Sequence, residues 1–301
     1  MEELSFRQVL EKNQFAITAE LGPPKGTDVS RMLAHADRLR GRVHGINVTD
    51  NQSSVMRLGS LAACHLLKER GFDPVFQITC RDRNRLALQS DLLSASVLGI
   101  RNVLVLTGDH PGAGDHPQAK AVYDLDSTQL LQVIDRLNHG RDISTRFMGK
   151  ALPNSTALTG GTDLFPGAVV NPEANPLEPQ VWRFSQKVAA GARFFQTQAV
   201  YDLKRFEEFM SYARELGAKI LAGILVVRSA AAVRYINKNV PGVTVPDWVI
   251  KELESSPDPL EAGIRIAGRQ IREFKGLCAG VHIMAIGLED KIPAVLDEAG
   301  I

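Results

Sequence analysis

Two carboxylates stand where this sequence passes from apolar runs into turn-forming residues. Asp109 lies in Thr107-Gly108-Asp109-His110-Pro111, directly after the valine-rich run 103–106. A glycine and a proline bracket it, so the backbone must turn there as a buried strand surfaces. Glu20 closes the run 15–21 and precedes Gly22-Pro23-Pro24, which no helix can continue. A positioned carboxyl can give up a proton, and a carboxylate can accept hydrogen bonds from a polar ring. Other apolar runs also end on hydrogen-bonding side chains. These are Thr49, followed by Asp50-Asn51-Gln52-Ser53; Gln77 and Thr79; Asn171; and Gln198. The histidines are not spaced as metal ligands, and no Gly-x-Ser-x-Gly nucleophile motif occurs. Separated acids among neutral donors and acceptors suit a planar heterocycle, held for an organic cofactor's chemistry.

Eight short apolar runs must position these groups: residues 15–21, 45–48, 74–78, 103–106, 168–170, 194–198, 219–226 and 280–285. Helical patterns lie between them, including 28–39, 55–69, 86–98 and 179–190. Such alternation predicts a parallel sheet, and eight units in 301 residues predict a closed (β/α)8 TIM barrel, one domain over residues 1–301. All strand C-termini of a barrel open on one mouth, which would gather the polar ends. No Gly-x-Gly-x-x-Gly follows the first run, which argues against an open dinucleotide-binding sheet. Residues 139–166 carry no clear period and read as a loop over one end of the barrel. Arg81 and Arg83, beside a helix start, could hold phosphate or pair with nearby aspartates, and the sequence leaves both open. Cys80 and Trp182 read as packing residues, and His282 as a satisfied interior group.

Composition excludes several classes. Thirty-five basic residues against 34 acidic ones give a net charge of +1, with no basic stripe for nucleic acid. The longest apolar stretch, near 220–227, is far shorter than the ~20 residues of a membrane helix. Met1 begins a charged segment without the apolar core of a signal peptide, and three scattered cysteines suit a reducing cytoplasm.

Several short motifs, in order, resemble the methylenetetrahydrofolate reductase family. They are Ala19-Glu20-Leu21-Gly22-Pro23-Pro24-Lys25, Val48-Thr49, Ile78-Thr79-Cys80, Gly108-Asp109-His110-Pro111, Asn171-Pro172-Glu173, Lys187-Val188-Ala189-Ala190-Gly191-Ala192, Thr197-Gln198 and Gly223-Ile224-Leu225-Val226-Val227. Each alone means little; their order and their placement at strand ends make the likeness specific, and it spans nearly the whole chain. The resemblance implies reduction of 5,10-methylenetetrahydrofolate to 5-methyltetrahydrofolate by a reduced flavin, FAD or alternatively FMN. Glu20 matches the general acid that protonates N10, its pKa raised by an apolar mouth. Asp109 matches an aspartate beside flavin and folate, and Gln198 a pterin-binding glutamine. Thr49, Gln77, Thr79, Gly108, Asp109, His110, Tyr123, Asn171 and Lys187 fall at positions resembling flavin contacts. The implied electron donor is NADH or a partner protein, and the implied assembly a homo-oligomer or a complex with that partner.

The sequence departs from the family on the flavin side. Gln77 stands where some members carry histidine, Thr107 where some carry arginine, Gln180 where some carry aspartate, and Asn171 where others have tyrosine. Thr49-Asp50-Asn51 differs from a Thr-Tyr-Gly triplet. Two other readings remain open at this point: a flavin-free pterin-binding methyltransferase-type barrel, and a flavin-carrying electron-transfer subunit.

Overall fold

The computed structural model describes residues 4–147, 150–151, 156–240 and 242–301. Eight strands form a closed parallel barrel: β1 (Ala16–Leu21), β2 (Gly45–Val48), β3 (Pro74–Thr79), β4 (Asn102–Leu106), β5 (Phe165–Val170), β6 (Phe194–Ala199), β7 (Lys219–Leu225) and β8 (Gly280–Met284). Each strand pairs with its sequence neighbours, and β8 closes on β1 with Ala16 opposite Gly280 and Thr18 opposite His282. This is the (β/α)8 TIM barrel that the alternation predicts. Among the described residues no helix is long and apolar enough to cross a membrane.

Alternate residues of each strand face opposite ways. The outward set, including Ile17, Ala19, Ile46, Val48, Phe76, Ile78, Val103 and Val105, packs with the surrounding helices in the main core. The inward set splits into two layers. At the N-terminal end Ala16, Val75, Leu104, Phe165, Phe194 and Leu221 form an apolar floor. The helix Phe6–Glu11 seals it, and the Phe6 ring meets Phe194 edge-on at 5.1 Å between centroids. Gly167 makes room for that ring, since a Cβ there would lie 2.3 Å from Phe194. Above the floor the inward residues turn polar, with Thr18, Asn47, Gln77, Gln196 and His282 all buried.

The helices begin and end where local chemistry dictates. Asp126 and Gln129 form a capping box on Ser127–Asn138, and Asn84 caps Arg85–Val97. Gly191 and Gly217, both at positive φ, follow two helix ends.

Four expectations need correction. The helix after β2 begins at Ser60, not 55, because the backbone is extended at Val55 and again at the N-cap Gly59, at φ −59° and ψ 135°. β5 starts at Phe165, three residues before the apolar triplet read as its start. The loop expected over 139–166 includes a two-stranded sheet, Arg146–Phe147 against Lys150–Ala151; residues 148–149 and 152–155 of it lie outside the described set. The helix at Phe6–Glu11 has no counterpart in the expected elements.

Candidate active site

Glu20, on the inward face of β1, points into the polar upper layer. Its side chain is 12% exposed. Oε1 accepts a hydrogen bond from Gln52 Nε2 at 3.0 Å, and Oε2 accepts one from Gln77 Nε2 at 3.4 Å. His282 Nε2 lies 3.6 Å from Oε2. The surroundings of Glu20 are therefore two amides and an imidazole, not the apolar mouth expected from sequence.

A chain of hydrogen bonds continues below Glu20. His282 Nδ1 is 3.0 Å from Thr18 Oγ1, and Gln196 Nε2 donates to the same oxygen at 3.3 Å. Gln196 and Asn47 bond each other twice, at 2.8 and 3.0 Å. The Thr18 hydroxyl has one proton, with His282 Nδ1 nearer than the Val281 carbonyl at 3.4 Å. Donation to Nδ1 leaves the proton of a neutral imidazole on Nε2, facing Glu20. Sequence reasoning took His282 as interior and satisfied. It is interior, but its second nitrogen faces the acid. Gln196 was missed, although in Phe194-Phe195-Gln196-Thr197-Gln198 it shares parity with Gln198.

Asp109 sits exposed on the turn after β4. Its carboxylate makes no hydrogen bond to the described residues, while its carbonyl accepts from Ser54 Oγ at 2.9 Å and Arg81 Nη1 at 3.5 Å. Arg81 Nη2 also reaches the Asn51 carbonyl at 3.3 Å. The loops after β1, β2 and β4 thus lace together, aided by the Lys25–Asp115 ion pair and by Met56 N donating to Asp115 at 3.0 Å. Gly108 needs its freedom here: φ is +91°, and a Cβ would press on Arg81 and Thr79. Tyr123 donates to the Gly108 carbonyl at 3.2 Å, and His110 Nδ1 accepts from Gly112 N at 3.1 Å.

The arginine question resolves towards ion pairs. Arg83 contacts Asp50 at 2.7 Å and Asp91 at 2.8 Å, and Arg81 contacts Asp82 at 2.7 Å. Burial works against the Arg83 cation, but its bonds and charges from Asp50 and Asp91 outweigh that and raise its pKa. Asp50 also accepts from Thr79 N and Thr79 Oγ1, both at 2.9 Å. Lys187 does not extend to the mouth as a free cation: its Nζ donates to the Val169 carbonyl at 2.8 Å, and burial lowers its pKa. Asn171 is engaged by the Gly242 carbonyl and Glu173 N, both at 3.1 Å. Gln198 is half-buried, with an amide that bonds none of the described residues. The Thr49 hydroxyl is buried without a partner. Cys80 is buried in the core as expected, whereas Trp182 is 64% exposed, so most of its surface faces solvent rather than the packing expected of it. No group of three His, Cys, Asp or Glu residues among those described could hold a metal.

Residues 5–300 match the profile of the family described as Methylenetetrahydrofolate reductase. The chain belongs to the methylenetetrahydrofolate reductase family. A probable methylenetetrahydrofolate reductase (NADPH) of Caenorhabditis elegans is 23% identical over 312 residues, covering 98% of this chain and 43% of that protein. The 5,10-methylenetetrahydrofolate reductase of Pectobacterium carotovorum is 26% identical, covering 77% of this chain and 71% of that one. The chain thus spans less than half of the nematode relative and most of the bacterial one. An uncharacterized protein from Clostridium thermocellum that binds two copies of 5-methyl-5,6,7,8-tetrahydrofolic acid shares the fold, with a TM-score of 0.67 at 16% identity over 98% of each chain.

Methylenetetrahydrofolate reductases generally bind flavin, so the flavin-side positions can be tested for fit. Gln77, Thr79, Tyr123, Asn171 and Lys187 each engage their polar groups within the chain. Both nearby guanidinium groups are ion-paired. Of these positions, the Thr49 hydroxyl is buried without a partner among the described residues. In this arrangement those five of the nine positions are bonded within the chain, while the Thr49 hydroxyl and the Asp109 carboxylate are left for a ligand.

Proposed function

We propose that this chain reduces 5,10-methylenetetrahydrofolate to 5-methyltetrahydrofolate at the barrel mouth, with Glu20 as general acid. The observation that supports this most is the Glu20 carboxyl itself. It is nearly enclosed at the C-terminal end of β1, oriented by Gln52 and Gln77, and backed by His282.

The reaction needs a proton at N10 to open the five-membered ring and a hydride at the exocyclic carbon of the N5 iminium that results. Glu20 supplies the proton. His282 stands behind the carboxyl, with Nε2 3.6 Å from Oε2, and limits where the acid can swing. The Gln198 amide, open at the mouth, can donate to and accept from one pterin edge. The Asp109 carboxylate, also unbonded among the described residues, accepts from pterin N–H and amino groups. No step in this sequence depends on which carrier delivers the hydride.

General acid catalysis is typically worth about 10²–10⁴-fold. Glu20→Gln keeps the shape but not the proton, so folate reduction should fall by at least about 10²-fold. Hydride transfer to methylenetetrahydrofolate at the parent rate in that variant would remove Glu20 from the role. A flavin-free methyl transfer without redox chemistry is the second reading. Formation of 5-methyltetrahydrofolate with matched oxidation of an electron donor excludes it.

A further inference from the structure

Of the five described residues other than glycine at positive φ, three fall in one turn after β2: Asn51 at 45°, Ser53 at 55° and Ser54 at 58°. That region is uncommon for residues with side chains, and such a backbone persists only where its surroundings hold it. Arg81 supplies much of the hold. Its side chain is 3% exposed, and two bonds to Asp82, at 2.8 and 2.7 Å, fix the plane of its guanidinium. From that plane Nη2 donates to the Asn51 carbonyl at 3.3 Å and Nη1 to Ser54 Oγ at 3.2 Å, one bond at each end of the turn. Arg57 N donates to Asn51 Oδ1 at 2.9 Å. Gly114 packs so closely that a Cβ there would lie 1.9 Å from the Ser54 carbonyl oxygen.

The turn reaches towards both acids of the mouth. Gln52 Nε2 donates to Glu20 Oε1 at 3.0 Å. Two residues on, the Ser54 hydroxyl has the Asp109 carbonyl at 2.9 Å and the His110 carbonyl at 3.2 Å as acceptors for its one proton. In a strand, residues two apart face the same way. Here one serves an acid on β1 and the other the turn after β4, and the left-handed residues between and beside them make that divergence possible.

We propose that the turn Asn51–Ser54 is a single tie between the two acids: Gln52 positions the Glu20 carboxyl, Ser54 positions the Asp109 turn, and Arg81 holds both ends of the tie. The roles of the two acids rest on the folate-reductase reading; the tie between them does not. Glycines would follow the same path without strain, but they would let Glu20 and Asp109 move independently. The proposed substrate gives a reason against that freedom. Its five-membered ring is fused to the pterin, so N10 and the pterin edge stand at a fixed separation. An acid for one and an acceptor for the other must keep a fixed separation as well.

Variants of the full chain separate the two ends of the tie. Gln52→Met keeps the length but not the donor. It should lower kcat for folate reduction about 2- to 10-fold, with the affinity for 5-methyltetrahydrofolate, measured by calorimetry, near the parent's. Ser54→Ala should instead weaken 5-methyltetrahydrofolate binding about 2- to 10-fold, with a smaller fall in kcat. Arg81→Lys keeps the charge but loses the fork, so it should show both losses together. Added to the Gln52→Met, Ser54→Ala pair it should cost less than about 2-fold more, because it acts through those two residues. Hydrogen exchange reads the tie without folate: Ser54→Ala and Arg81→Lys should speed exchange of the Ala113 and Gly114 amides, which close the turn after Asp109. Parent-like kcat in Gln52→Met, loss of only one property in Arg81→Lys, full additivity of the three substitutions, or parent-like exchange at 113–114 overturns the proposal. Faster exchange there in a chain that neither binds nor reduces folate keeps the tie and counts against the function reading alone.

Discussion

His282 Nε2 lies 3.6 Å from Glu20 Oε2, while its Nδ1 lies 3.0 Å from the Thr18 hydroxyl. One imidazole therefore connects a buried hydroxyl–amide layer to the acid at the mouth. Removing it should leave Glu20 present but less well held. His282→Phe is expected to lower kcat for folate reduction about 2- to 10-fold, the worth of the one neutral hydrogen bond, to Thr18, that fixes the ring behind Glu20, with little change in KM. His282→Gln, which restores a donor, should recover part of the loss. Equal kcat in parent and His282→Phe would show that the imidazole only fills space.

Asp109 makes a different demand. Its carboxylate bonds none of the described residues, so its contribution is expected in the bound complex rather than in folding. Asp109→Asn should weaken folate binding by about 1.5–3 kcal/mol, the range for a hydrogen bond to a charged group, and should leave thermal stability nearly unchanged. Folate titrations and melting curves on the same protein separate the two effects.

Asp50 is the structural acid of the site. Its side chain is 0% exposed and holds both Thr79 and Arg83. Removing one partner of a buried pair costs about 3–5 kcal/mol. Arg83 is 20% exposed and keeps Asp91, so Asp50→Asn should cost less, about 2–4 kcal/mol. Urea unfolding of parent and variant measures it. A loss under about 0.5 kcal/mol would place this pair with ordinary surface ion pairs.

The flavin-side positions yield an expectation about the purified protein. With Lys187, Tyr123, Asn171 and Thr79 engaged internally, the chain should retain less than one flavin per chain, and Lys187→Met should not change that content. The visible absorption spectrum after gel filtration decides this. Stoichiometric FAD or FMN would show that these side chains exchange their internal partners for the cofactor.

The sequence alone determined the barrel, because strand and helix periods alternate locally and eight parallel units have few ways to close. It also determined that Glu20, Thr49, Gln77, Thr79, Asp109, Asn171 and Gln198 belong to one end, since each ends a strand and parallel strands end together. Tertiary structure decided which of them are open and which are engaged. Lys187 bonds the Val169 carbonyl 18 residues away, and Arg83 pairs with Asp50 across 33 residues. No local pattern encodes either pairing. The helix at Phe6–Glu11 escaped because it is short, and its place is set by the floor it seals rather than by its own period. The layer beneath Glu20 brings Thr18, Asn47, Gln196 and His282 from four strands into one hydrogen-bonded chain. Inward parity was legible at each position. Only barrel closure, which sets β8 against β1, could put the imidazole beside the acid.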